Sequence, residues 1–224
     1  MLAYRARASF RAIPGFCRAV STLSSNPHIK VFKDSSEPSK SILTYLDTEP
    51  PSKNLAIGTS TAIPPTPQSF TENKAFMRIL NEVIQEYGHE DEDVVSQARA
   101  LAGPGGSFNF GSSGANMFRQ PQSKRRGDTG AGGASGQGGA GGGGVGGFVH
   151  LGDRRHAPEY GRIAWPEDIL GSVEVDDAGQ VVGQLQPSGT YRIVTNDGIL
   201  GISSFLRGKL VERLKQEEAK EKSS

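Results

Sequence analysis

The chain has 224 residues with 25 Lys and Arg against 24 Asp and Glu, a formal net charge of +1, so its bulk charge gives no broad cationic footprint for nucleic acid. Its one cysteine, Cys17, excludes an internal disulfide and a multi-cysteine zinc or iron–sulfur centre. No stretch approaches about 18 consecutive apolar residues, so no membrane-spanning helix is predicted.

Residues 1–20 carry Arg5, Arg7, Arg11 and Arg18 and no acidic side chain, and the Ser/Thr-rich run Ser21-Thr22-Leu23-Ser24-Ser25 follows. Arg-rich, acid-poor and Ser-bearing is the composition of a mitochondrial presequence. Drawn as a helix, Arg7, Arg11 and Arg18 fall near one face and Leu2, Ile13 and Phe16 roughly opposite, until Pro14-Gly15 interrupts it. Arg18-Ala19-Val20 before Ser21 fits a matrix processing pattern and predicts cleavage near Val20. The expected location is the mitochondrial matrix, or its side of the inner membrane as a peripheral protein. Without residues 1–20 the balance becomes 21 basic to 24 acidic, a net of −3, and the only thiol is gone.

Residues 21–68 hold short apolar runs, 28–32, 41–46 and 55–58, separated by Pro50-Pro51 and Pro64-Pro65-Thr66-Pro67. Proline favours extended backbone and lacks a donor, so this region is expected to be an extended arm laying one or two short strands on another surface. A helical segment is expected over 69–102. Ser69 and Glu72 fit a capping box, and Phe76, Met77, Leu80, Val83, Ile84 and Tyr87 form one stripe up to a C-terminal Gly88. A second helix is expected from about Asp91 to Leu101 on Val94, Ala98 and Leu101.

Glycine fills 13 of the 21 positions in 127–147, which predicts a disordered, low-complexity linker over 103–147. Residues 148–224 are expected to form a small α+β domain. Its elements are a strand at 161–165, a single turn opened by Pro166 and stopped at Gly171, and a strand at 172–176 that turns back through Asp177-Ala178-Gly179. A hairpin around Asn196-Asp197-Gly198 follows, and then a helix from Ser203 or Ser204 on Leu206, Leu210 and Leu214, whose charged tail from Lys215 is expected to fray. The fold class is thus α+β: a C-terminal β-meander closed by a helix, plus an N-terminal helical segment across a Gly-rich linker. A unit of about 75 residues without disulfides has a marginal core, so packing between the two parts or on a partner is expected, with partner contact favoured.

Among candidate sites, His150, Asp153 and His156 could surround a metal, but Arg154-Arg155 between them oppose a dication. Chance dinucleotide spacings in the glycine run lack the flanking strand and helix, so no cofactor is expected. Glu167-Asp168, Glu174 and Asp176-Asp177 read as a helix start, a solvated strand face and a turn, and no catalytic constellation accompanies them. The candidate partner contacts are Phe76, Leu80 and Trp165. An alternative reading is mitochondrial RNA binding by the basic edges of the linker, with Lys124, Arg125, Arg126, Arg154 and Arg155 as contacts. A second alternative is an enzyme with a buried polar pocket near Trp165 and carboxylates of raised pKa.

Glu72-Asn73-Lys74-Ala75-Phe76, residues 160–168 and residues 187–194 resemble uncharacterised mitochondrial proteins of filamentous fungi. That resemblance implies no fold, activity or site residue. The expected function is a non-catalytic accessory subunit or assembly factor of a larger mitochondrial complex, such as the ribosome or respiratory chain.

Overall fold

The computed structural model describes residues 21–102, 147–158 and 162–223. Residues 1–20, expected to be a presequence, Lys124, Arg125, Arg126 and all but the last residue of the linker expected over 103–147 lie outside the described residues.

The fold is α+β. Five short strands, β1 (Ser21–Thr22), β2 (Lys30–Lys33), β3 (Ser41–Thr44), β4 (Gly58–Ser60) and β5 (Phe70–Glu72), form an antiparallel sheet in sequence order. The region expected as an extended arm is therefore most of a sheet. Strands of two to four residues are too short to show alternation in sequence, and the two proline clusters occupy the β3–β4 and β4–β5 connections, where no ladder donor is needed. Leu23, Ile29, Leu43, Leu46, Leu55 and Ile57 from this region are each at most 4% exposed.

Helix α1 (Lys74–Tyr87) begins later than the expected capping box. Asn73 is its N-cap: Oδ1 accepts from the Ala75 N–H at 2.9 Å, while Nδ2 donates to the carbonyls of Lys53, Asn54 and Ala56 at 2.7–3.0 Å. One side chain thus starts the helix and fixes the connection before β4. Ser69 instead closes a turn with Thr66, and the Glu72 carboxylate accepts from the Ile193 N–H at 3.1 Å. Gly88 stands at the helix end in right-handed conformation, and a Cβ there would lie 3.0 Å from Leu185 Cδ1, so a larger residue would have to displace that buried methyl by a few tenths of an ångström. A short 3₁₀ turn (Gly88–Glu90) leads into α2 (Glu92–Ala102), where the Asp91 carboxylate accepts from the Asp93 N–H.

The chain is next described in β6 (Gly147–Gly152), which pairs with β7 (Ile169–Val175), which pairs in turn with β8 (Val181–Pro187). Gly179, at φ +74°, makes the expected β7–β8 turn, with the Asp176 carboxylate accepting from the Ala178 and Gln180 N–H groups. Arg162–Trp165 are not a strand, contrary to expectation. A 3₁₀ turn at Pro166–Asp168 follows them, and β7 starts at Ile169 and runs through Gly171. The hairpin shrinks to β9 (Val194–Thr195) and β10 (Gly198–Ile199).

Helix α3 (Ser204–Ser223) buries Leu206, Leu210 and Leu214 as expected. Its tail does not fray. Arg213 and Lys220 bridge to Glu217, and Glu221 accepts from Ser52 at 2.8 Å and Asn54 at 3.1 Å. Helix α1 packs against α3 and β8, and Arg213 also reaches Glu82 of α1 at 3.1 Å. One apolar core runs through both parts, from Leu23, Leu43 and Phe76 to Leu151, Leu185, Ile193 and Leu210. Each such side chain contributes about 1.5–3 kcal/mol on burial, so each part supplies the cover that the other lacks.

Candidate functional site

The densest buried chemistry lies where the loop after β6 meets the turn before β7. Asp153 and Arg155 project inward from that loop, and their side chains are 0% and 3% exposed. Asp168, the last residue of the 3₁₀ turn, has a side chain 1% exposed. Arg155 Nε donates to Asp168 Oδ1 at 2.7 Å, Nη1 to the Ile193 carbonyl at 2.8 Å and Nη2 to the Glu167 carbonyl at 3.0 Å. Asp153 Oδ1 accepts from the Arg155 and Gly201 N–H groups at 2.8 and 2.9 Å. Its Oδ2 accepts from the Tyr191 hydroxyl at 2.7 Å and lies 3.7 Å from Arg155. The guanidinium also sits 5.4 Å from the Tyr191 ring centroid.

Burial raises the Asp153 carboxyl, against the opposing pull of Arg155 and the donors around it. Burial, and then the Asp153 carboxylate, push the Tyr191 hydroxyl well above its ordinary value and raise that of nearby Tyr45 as well. Such a cluster is held because one fork meets several fixed acceptors at once. Both Asp153 oxygens already accept hydrogen bonds within the chain. Chemically the arrangement is a joint: it fastens the loop after β6, the turn before β7, and the 191–193 and 200–201 segments to each other.

What the joint positions is the opposite of itself. Between its two acids runs Arg162–Trp165, where Ile163 is 57% and Trp165 66% exposed. This segment is fixed at its C-terminal end. The Trp165 carbonyl accepts from the Asp168 N–H at 2.8 Å, and the Pro166 carbonyl accepts from Thr190 Oγ1 at 2.7 Å.

The other sequence candidates fall apart from this place. Phe76 and Leu80, expected to meet a partner, are 0% and 1% exposed in the chain's own core, because the stripe of α1 is covered by α3 and β8. Trp165, the third of these, faces outward. Arg155 is buried and ion-paired, which removes it as an RNA contact. Arg154, its side chain 39% exposed, is bound to Glu92 and Asp93 at 2.8 Å each. His150 Nδ1 is 2.7 Å from Ser172 Oγ, and His156 lies 3.7 Å from Asp197. Among the described residues no group of three or more His, Cys, Asp or Glu is placed to hold a metal, and no helix is long and apolar enough to cross a membrane. A cleft of about 330 Å³ lined by His89, Glu90, Arg99 and Gln180 shares no residue with the joint.

Sequence reasoning missed the joint because its members come from four separate segments. The one available signal was the charged run Asp153-Arg154-Arg155-His156 behind the apolar residues Phe148, Val149 and Leu151, too close to them to be all solvated. No family model matches the chain, and no curated protein or solved structure is significantly similar to it.

Proposed function

We propose that this protein is a non-catalytic mitochondrial accessory subunit or assembly factor, which attaches to a larger complex through the surface centred on Ile163 and Trp165. The observation that carries this reading is the pair of large apolar side chains held outward on a segment fixed by buried ion pairs. Tryptophan is the residue most enriched at interface hot spots, and a pre-positioned one loses little entropy on docking. The mitochondrial part rests on the arginines of residues 1–20.

The test is size fractionation of gentle mitochondrial lysates containing the tagged chain. The expected result is migration well above the monomer mass. Trp165→Asp should move the protein to the monomer position, with an unchanged urea midpoint for the purified variant. A wild-type chain that runs as a monomer in those lysates overturns the proposal.

A further inference from the structure

The three-stranded sheet has a covered face and an open one. Val149, Leu151, Val173, Val175 and Leu185 point inward, each buried, beneath α1 and α2. On the opposite face the register sets side chains in rows across the strands. Phe148 of β6, Glu174 of β7 and Val182 of β8 form one row, and His150, Ser172 and Gln186 the next. Phe148 is 66% and Val182 49% exposed. The exposed Glu174 carboxylate between them has no ion-pair or hydrogen-bond partner among the described residues. Gly152 continues the outward positions of β6, and a Cβ there would lie 3.9 Å from the Ala164 Cβ. Ala164 stands between Ile163 and Trp165, so the outward segment and the open face adjoin as one surface.

Neither edge of this sheet is free to accept a further strand. On β6, Gln97 of α2 already donates to the His150 carbonyl at 3.3 Å. On β8, the ladder is broken at Gly183, φ +81°, and the strand ends in Pro187. The face remains. Three strands at about 4.8 Å spacing are as wide as one helix, about 10 Å across. Glu174 then decides what kind of helix fits. An acid between two large apolar groups is costly to cover unless a cation meets it. A neutral helix would leave it unpaired, and an anionic lipid surface would repel it. A second copy of this chain is no match either. No exposed large apolar side chain among the described residues lies on a helix, and face-to-face packing centred on this row would set one Glu174 against the other.

We propose that the open face of β6, β7 and β8, together with Ile163 and Trp165, takes an amphipathic helix of the partner whose apolar stripe carries a lysine or arginine that pairs with Glu174. This rests on the attachment surface of the proposed function and names what docks there. The helix adds the third layer that the sheet lacks on this side. Its apolar residues at spacings of three and four meet Phe148 and Val182, and its cation satisfies the acid between them.

The experiment places a benzophenone side chain at position 148 of the tagged full-length chain, irradiates mitochondria that contain it, and maps the adducts by mass spectrometry. The expected adduct lies in another protein, in a segment with apolar residues at helical spacing and a Lys or Arg among them. Glu174→Lys should lower its yield at least tenfold, and Glu174→Gln, which keeps the shape without the charge, severalfold. The position is exposed, so both variants should keep the wild-type urea midpoint. An adduct to lipid, to a second copy or to an acidic or extended segment overturns the proposal. So does the absence of any adduct, or an unchanged yield for either variant. If Trp165→Asp releases the chain from its assembly while Glu174→Lys does not, the helix is refuted and the attachment surface stands. A wild-type chain that runs as a monomer in lysates sinks both.

Discussion

Two neighbouring regions reverse the usual distribution of side chains. At Asp153, Arg155 and Asp168 charges are sealed inside, each side chain 3% exposed or less. At Ile163 and Trp165, large apolar groups face water, 57% and 66% exposed. Alone, either would be an oddity, since buried charges stabilise weakly at best and exposed tryptophan gives up its burial energy. Together they make sense as cause and effect. A segment that buries none of its large side chains has no hydrophobic reason to stay in one place, so directional bonds at its foot must hold it. The ionic joint supplies them.

Breaking the joint should have the largest effect. Arg155→Ala leaves the Asp153 and Asp168 carboxylates buried without their cation, and truncating one partner of a buried pair costs about 3–5 kcal/mol. Urea unfolding should show that loss. Arg155→Lys should recover only part of it, because an ammonium cannot reach Asp168, Ile193 and Glu167 in the fork geometry of the guanidinium. A loss below about 1 kcal/mol for Arg155→Ala would mean that the cluster is not a joint.

The reversal also explains which parts of the molecule could be read in advance. Helices α1, α2 and α3 and the β7–β8 turn were legible, because Phe76, Leu80 and Leu206, Leu210, Leu214 recur at helical spacing and Gly179 marks its turn. The five-stranded sheet was not, since strands of two to four residues repeat the two-residue alternation too few times to reveal it and prolines crowd their connections. Trp165 was placed in a strand on apolar pattern alone, and Phe76 was offered to a partner because nothing local reveals that α3 will cover it. Of the joint, only Asp153 and Arg155 share a local motif; Asp168, Tyr191 and Gly201 join through tertiary structure.

A group intermediate between the two regions sharpens the comparison through pH. His150 is half-buried on β6, and burial lowers its imidazole below the ordinary value. The unfolded chain therefore binds this proton more readily. The contribution of His150 is intact above its unfolded value of about 6.5 and is lost as pH falls from there through the lowered folded value. One proton caps the slope at about 1.4 kcal/mol per pH unit. Urea midpoints measured from pH 7.5 to 5 should fall for the wild type, and His150→Gln should flatten part of that fall. Superimposable profiles would show that its burial has no energetic consequence.

The smallest expected effect comes from the residue beside the largest. Arg154 and Arg155 are adjacent and chemically identical, but in the turn after β6 the first faces solvent and the second the interior. Arg154 holds Glu92 and Asp93, whose side chains are 75% and 39% exposed, where water and salt screen the pairs. Both acids lie in the first turn of α2. There they already oppose the positive end of the helix dipole, which a cation at the same place works against. Arg154→Ala should therefore cost no more than about 1 kcal/mol, and 1 M salt should erase most of the difference from the wild type. A salt-independent loss approaching that of Arg155→Ala would show that position relative to the core, rather than identity, had been misjudged as the controlling variable.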